Sequence, residues 1–279
     1  MNGIKTALLL GLMSSVLLVG GRAIAGESGL YMGLFVAIAM NFASYFFSEK
    51  IALKMSGAQP LTPTQNPQLY QRVAPVTRQL CQRMGIPMPK LWVTPEHSPN
   101  AFATGRNPEN ASVAVTVGLV ELMNDDELEG VIAHELGHIK NRDILISSVA
   151  ATIAAAISMI AQFGYFFGGR HHSDDEEGGG SPVAALLMML IAPLLAGVIQ
   201  MAISRTREFS ADATAAKYTG TPSGLISALQ KLEGWSKRIP MEASPATAHM
   251  YIIKPATLMQ LFSTHPRTED RVARLRKLA

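Results

Sequence analysis

Four stretches of this 279-residue chain, Thr6 to Gly21, Ser28 to Ser48, Ile144 to Gly169 and Gly178 to Ser204, contain no Asp, Glu, Lys or Arg. A helix needs about 20 mainly apolar residues to cross a hydrocarbon core roughly 30 Å thick, and the last three stretches reach that length. The first is shorter, but Lys5 and Arg22 at its ends can snorkel to the headgroups and extend the usable span. The expectation is four transmembrane helices in two hairpins, 4–48 and 144–204, with a polar loop at 170–181 in the second. Another reading of the first stretch is a cleavable secretory signal, because the run behind Lys5 ends in Ala23-Ile24-Ala25. Arg22 fits badly just ahead of such a cleavage site, and a second apolar span follows within a few residues.

The two remaining segments, 49–143 and 205–279, are polar and patterned like a folded domain. Leu69, Val73, Val76, Leu80 and Met84 have helical spacing, closed by Gly85-Ile86-Pro87. Leu91-Trp92-Val93 and Val113-Ala114-Val115 read as short strands joined by a Gly/Asn/Pro-rich connection. Asn124 followed by Asp125, Asp126 and Glu127 reads as a capped helix start, with Leu128, Val131, Ile132, Leu136 and Ile139 on the buried side. One continuous helix can carry on from there into the third span. The fold class is therefore a mainly α integral membrane protein with four transmembrane helices and an α+β polar domain built around a small sheet.

Charge then sets orientation. Only 16% of residues are charged against about 25% in ordinary globular domains, and the deficit lies in the four apolar stretches. The short connectors hold Arg22 and Arg170 alone, whereas Lys5, Lys50, Lys54, Lys140, Arg142, Arg205 and Arg207 flank the opposite ends. By the positive-inside rule those ends, both termini and the polar domain face the cytoplasm. A net charge of +3 without a long basic run excludes nucleic acid as a partner, and the single Cys81 excludes an internal disulfide. His171-His172, in the acidic loop, reads either as a metal contact or as solvated side chains.

His134-Glu135-Leu136-Gly137-His138 lies within the capped helix. Histidines at i and i+4 share a helix face and can reach one metal ion, zinc by preference, while Glu135 points at water on that metal. Glu135 is then the acid/base of peptide hydrolysis. Gly137 is a poor helix former, and its presence there suggests that another group approaches closely. A catalytic zinc takes three protein ligands, and Asn141 and Ile144 stand where one extended version of the motif has Gly and His. Glu208 is the candidate third ligand. It lies about 6 Å beyond the fourth span and His138 about 9 Å before the third, so the two sit at similar depth. Asp212, one turn on, suits a hydrogen bond to the free nitrogen of a ligating histidine. The alternative is that Glu208 pairs with Arg205 or Arg207 on a solvated helix.

Taken together, the apolar hairpins, HELGH and Ser204-Arg205-Thr206-Arg207-Glu208-Phe209-Ser210-Ala211-Asp212 resemble the HtpX family of bacterial membrane zinc metalloproteases, relatives of the CAAX prenyl proteases. Pro99 to Gly105 and Ser263-Thr264-His265-Pro266 align with the family as well. The resemblance implies a zincin-like protease domain holding one Zn2+ per chain on His134, His138 and Glu208, with Glu135 catalytic and Asp212 behind the ligands. It also implies that Asn100, Ala101, Phe102 and Ala103 lie beside the cleft, where substrate adds as an extended strand. His265 and Arg271 would stabilise the oxyanion or brace the ligand carboxylates. On the residues alone, Asn100 is equally a turn former and His265 equally a helix-entry residue. The implied protein is an inner-membrane endopeptidase, embedded in lipid, cutting misfolded or damaged membrane proteins on the cytoplasmic side. The alternatives are a narrow processing protease and a non-catalytic membrane scaffold or transporter that keeps a structural zinc, the transporter disfavoured by spans without charged residues.

Overall fold

Helix α1 spans Asn2–Met55 and turns back on itself at Gly26, whose φ of 61° lies in the left-handed region open to glycine. Ser14 and Asn41, which a straight helix would hold about 40 Å apart, are joined by a 2.9 Å hydrogen bond from Asn41 Nδ2 to Ser14 Oγ. A Cβ at Gly33 would overlap the Leu17 carbonyl, so the two arms touch along their backbones. The computed structural model describes residues 2–146, 149, 205–238 and 266–278. Among these, no single helix is long and apolar enough to cross a membrane; Gly26–Ala43 and Tyr45–Met55, bent by 67°, meet that measure only as a pair. Tyr31, Met32, Phe35, Ile38 and Phe42 on the second arm are all more than half exposed. Nearly all of the expected third and fourth spans, the loop with His171 and His172, and His265 lie outside the described residues.

A four-stranded sheet follows, of β1 (Gln59–Pro60), β2 (Lys90–Thr94), β3 (Ala101–Asn107) and β4 (Asn110–Thr116), in the order β1-β2-β4-β3. β2 runs parallel to β4, and β3 pairs antiparallel with β4 in the register Ala101↔Val115, Ala103↔Val113. Strand β3 lies where the sequence reads as a mere connection. Ala, Gly and Asn give it little strand propensity, and its hairpin pairing with β4 supplies what propensity does not. Alternation divides the sheet's faces. Val93, Ala101, Val113 and Val115 join the main core, while Phe102, Ala114 and Trp92 pack against Leu53 at the end of α1. Helix α2 (Pro67–Met84) ends, as expected, on Gly85 at φ 65°, and the short α3 is Val117–Leu122.

Helix α4 (Asp125–Lys140) is the axis of the polar domain. Its start is a full capping box: Asn124 Oδ1 accepts from Glu127 N–H, and Glu127 Oε2 accepts from Asn124 N–H, both at 2.9 Å. Leu128, Val131, Ile132, Leu136 and Ile139 are buried, as the spacing predicts. Helix α5 (Arg205–Thr219) and helix α6 (Ser223–Arg238) lie against it, and helix α7 (Thr268–Leu275) closes over both. Gly130 and Gly137 make these approaches possible. A Cβ at Gly130 would collide with the backbone at Leu225, and one at Gly137 would come within 3.1 Å of the Ala211 carbonyl oxygen.

The helix expected to run on from α4 into the third span is interrupted instead. Asn141 caps α4, Arg142 adopts φ 58°, and helix resumes at Ile144. The left-handed residue redirects the chain and brings Asp143 N–H to the His138 carbonyl at 2.8 Å.

Glu127 also fastens α4 to α6, accepting from Ser227 Oγ at 2.7 Å and Lys231 Nζ at 2.5 Å. Burial alone would raise its carboxyl pKa, but these bonds and the Asn124 N–H outweigh it and hold the group below the usual carboxylate range. A depressed folded pKa gives stability that is present above the unfolded value and lost as pH falls through the folded one. Glu127→Ala is therefore expected to destabilise by about 2–3 kcal/mol at pH 7, and by less below about pH 4, read as the difference in melting temperature from the parent at the two pH values.

Candidate metal and catalytic site

Two adjacent helices supply the polar groups at the centre of the molecule. His134, Glu135 and His138 come from α4, and Glu208 and Asp212 from α5. The close packing at Gly137 sets α5 where one carboxylate meets both imidazoles. Glu208 Oε2 lies 3.6 Å from His134 Nε2, and Glu208 Oε1 lies 3.5 Å from His138 Nε2. The two Nε2 atoms are 3.2 Å apart, with the rings nearly perpendicular at 85°. One ligand atom from each of His134, His138 and Glu208 falls within 4.8 Å of the others. Glu208 is buried among these groups rather than on a solvated helix face, and its charge also acts on the buried Arg207.

The outer nitrogens are also engaged. His134 Nδ1 is 2.9 Å from Asp212 Oδ1, and His138 Nδ1 is 3.3 Å from Asp143 Oδ2. In the neutral ring a carboxylate at Nδ1 holds the proton there and turns the Nε2 lone pair inward. Two ring nitrogens and a carboxylate then face one another, an arrangement that suits a positive charge. Burial and the Arg271 charge both push the His134 ring down, yet the bonds from Asp212 and Glu208 prevail and lift it to about 9. Positive charge is favoured at this point, whether carried by a proton or by a metal. Two nitrogens and one carboxylate oxygen match a catalytic zinc site with an open position.

Arg271 lies buried in α7 behind the site. It grips Asp212 with two bonds, Nε to Oδ2 at 2.9 Å and Nη2 to Oδ1 at 2.7 Å, while Nη1 is 3.7 Å from Glu208 Oε2. Burial would raise the Asp212 carboxyl, but Arg271 and then His134 hold it at about 2. Of the two roles implied for Arg271, these distances fit the bracing of carboxylates.

Glu135 is buried on the side of α4 that meets the sheet edge, and the Ala103 N–H of β3 donates to its carboxylate. Burial, the dominant influence, keeps its pKa above the usual carboxylate range. Of the other cleft candidates, Ala101 lies on the α4 face of the sheet. Phe102 points to the opposite face, against Leu53. Asn100 is buried and its backbone bonds Thr116 twice, accepting Thr116 N–H at its carbonyl and donating its N–H to the side-chain Thr116 Oγ1, both at 2.9 Å. Asp143 is the site residue that sequence reasoning missed, because helical periodicity does not bring position 143 back to His138.

Residues 65–279 match the model of Peptidase family M48. A "Protease HtpX homolog" of Desulforapulum autotrophicum is 50% identical over 280 residues, covering 99% of this chain and 89% of that one. One from Pelotomaculum thermopropionicum is 48% identical over 285 residues, covering all of both. A crystal structure of S. mikatae Ste24p superposes with a TM-score of 0.49 at 20% identity, covering 98% of this chain and 64% of that one. With the family model covering all but the first 64 residues and near-full-length relatives at about half identity, the chain belongs to peptidase family M48, among the HtpX proteases.

Proposed function

We propose that this protein is a zinc-dependent endopeptidase of the bacterial inner membrane that hydrolyses peptide bonds of misfolded or damaged membrane proteins on the cytoplasmic side. The observation that carries the reading is the convergence of His134, His138 and Glu208, each backed by a charged or hydrogen-bonding neighbour. When bound there, zinc supplies Lewis acidity, acidifying water and polarising the scissile carbonyl. Glu135 takes the proton from the attacking water at its carboxylate and returns it to the leaving nitrogen, a task suited to a carboxyl whose pKa burial has raised. Ala103 N–H, on the terminal strand of the sheet, orients that carboxylate. The same strand offers an edge along which an extended substrate can lie.

Membrane residence is supported by the uncharged stretches and by the exposed Tyr31, Met32, Phe35, Ile38 and Phe42, an apolar surface that a water-soluble monomer seldom presents. Cytoplasmic orientation is supported by the basic flanks. The test is digestion of casein and of an unfolded membrane protein by the purified chain in detergent, with chelator and with zinc restored. Activity lost to chelator and recovered with zinc on several unrelated substrates is expected. Cleavage of one precursor alone would favour a processing protease, and zinc binding without cleavage a scaffold.

A further inference from the structure

We propose that Asp143 is a positioning residue for the metal site, holding the Nδ1–H of His138 so that its Nε2 faces the ion. The inference rests on the metalloprotease reading and extends it to a residue outside the HExxH motif and the ligand set. Asp143 is buried, and its Oδ2 lies 3.3 Å from His138 Nδ1. In an unbroken helix, position 143 would be rotated about 140° around the axis from His138. The break after Lys140 removes that rotation, at the cost of a left-handed Arg142 with φ 58°. The redirected chain is pinned by the Asp143 N–H to the His138 carbonyl at 2.8 Å, so backbone and side chain of one residue both clasp His138.

His138 needs such a partner more than His134 does. Its side chain is 17% exposed against 1% for His134, so packing does less to fix the ring. Asp212 performs the matching task on His134, supported by Arg271. Arg207 is the corresponding cation on the other side, buried where the charges of Asp143 and Glu208 both act on it. Each imidazole thus has an aspartate, and each aspartate an arginine.

The test compares zinc affinity, by competition with a chromophoric chelator, in the full chain in detergent for the parent, Asp143→Ala and Asp143→Asn, together with the visible spectrum of the cobalt-loaded forms. Asp143→Ala is expected to bind zinc about 10–100-fold more weakly and to alter the cobalt spectrum. Asp143→Asn is expected to restore most of the affinity, because its amide oxygen accepts the same Nδ1–H. Asp143→Ser, shorter in reach, stands in with the same expected loss if the alanine variant does not fold. Parental affinity and spectrum in Asp143→Ala, or in Asp143→Ser where that variant stands in, would overturn the inference, as would Asp143→Asn binding no better than the variant it is compared with. A parent that binds no zinc would overturn the metalloprotease reading together with this one.

Discussion

Glu135→Gln is expected to keep the metal and lose hydrolysis by about 10²–10⁴-fold, the range for removing a positioned acid/base. Glutamine fills nearly the same volume and still accepts the Ala103 N–H through its amide oxygen. It cannot take a proton from water at neutral pH. Because Glu135 is not among the three groups that converge on the ion position, zinc content and melting temperature should stay close to the parent's. The readout is casein turnover against zinc stoichiometry on the same preparation. Undiminished turnover in a zinc-replete Glu135→Gln protein would remove Glu135 from its role.

The second large effect separates the two carboxylates of α5. Glu208→Ala removes a group that faces both Nε2 atoms, at 3.6 and 3.5 Å, and is expected to abolish tight zinc binding. Asp212→Ala leaves the three donor atoms in place and removes only the support at His134 Nδ1, for a loss of about 10–100-fold in affinity. It should damage the fold more, however. Arg271 is buried and loses its two-bond partner, keeping only the more distant Glu208 carboxylate, and breaking a buried ion pair costs about 3–5 kcal/mol. Affinity and melting temperature should therefore rank the two variants in opposite order. Weaker zinc binding in Asp212→Ala than in Glu208→Ala would mean that their roles are exchanged.

Much of this site is legible in the sequence because helices are periodic. The i, i+4 histidines, Glu208 with Asp212 one turn beyond it, and a mid-helix glycine all announce themselves by spacing, and Gly137 does receive the Ala211 backbone. The cap at Asn124 and the buried stripe of α4 are legible because both are local signals, while the reciprocal bond from Glu127 that makes the cap a box is read only from the structure. Strand β3 is not, since Ala101 to Asn107 becomes a strand through partners in β4 rather than through its own residues. Nor is Asp143, whose place depends on Arg142 leaving the helical region. Arg271 lies far along the chain from its partners, and only the packing of α7 over α5 turns a terminal charged helix into the brace of the site.

Zinc K-edge X-ray absorption on the purified chain tests the central claim most directly. Two histidine nitrogens and a carboxylate oxygen predict a first shell of light atoms alone at about 2.0–2.2 Å, with imidazole outer-shell scattering, and a signal lost or rearranged in Glu208→Ala. Sulfur scattering at about 2.3 Å, which only the buried Cys81 or a methionine could supply, or a shell indifferent to Glu208→Ala, would contradict it.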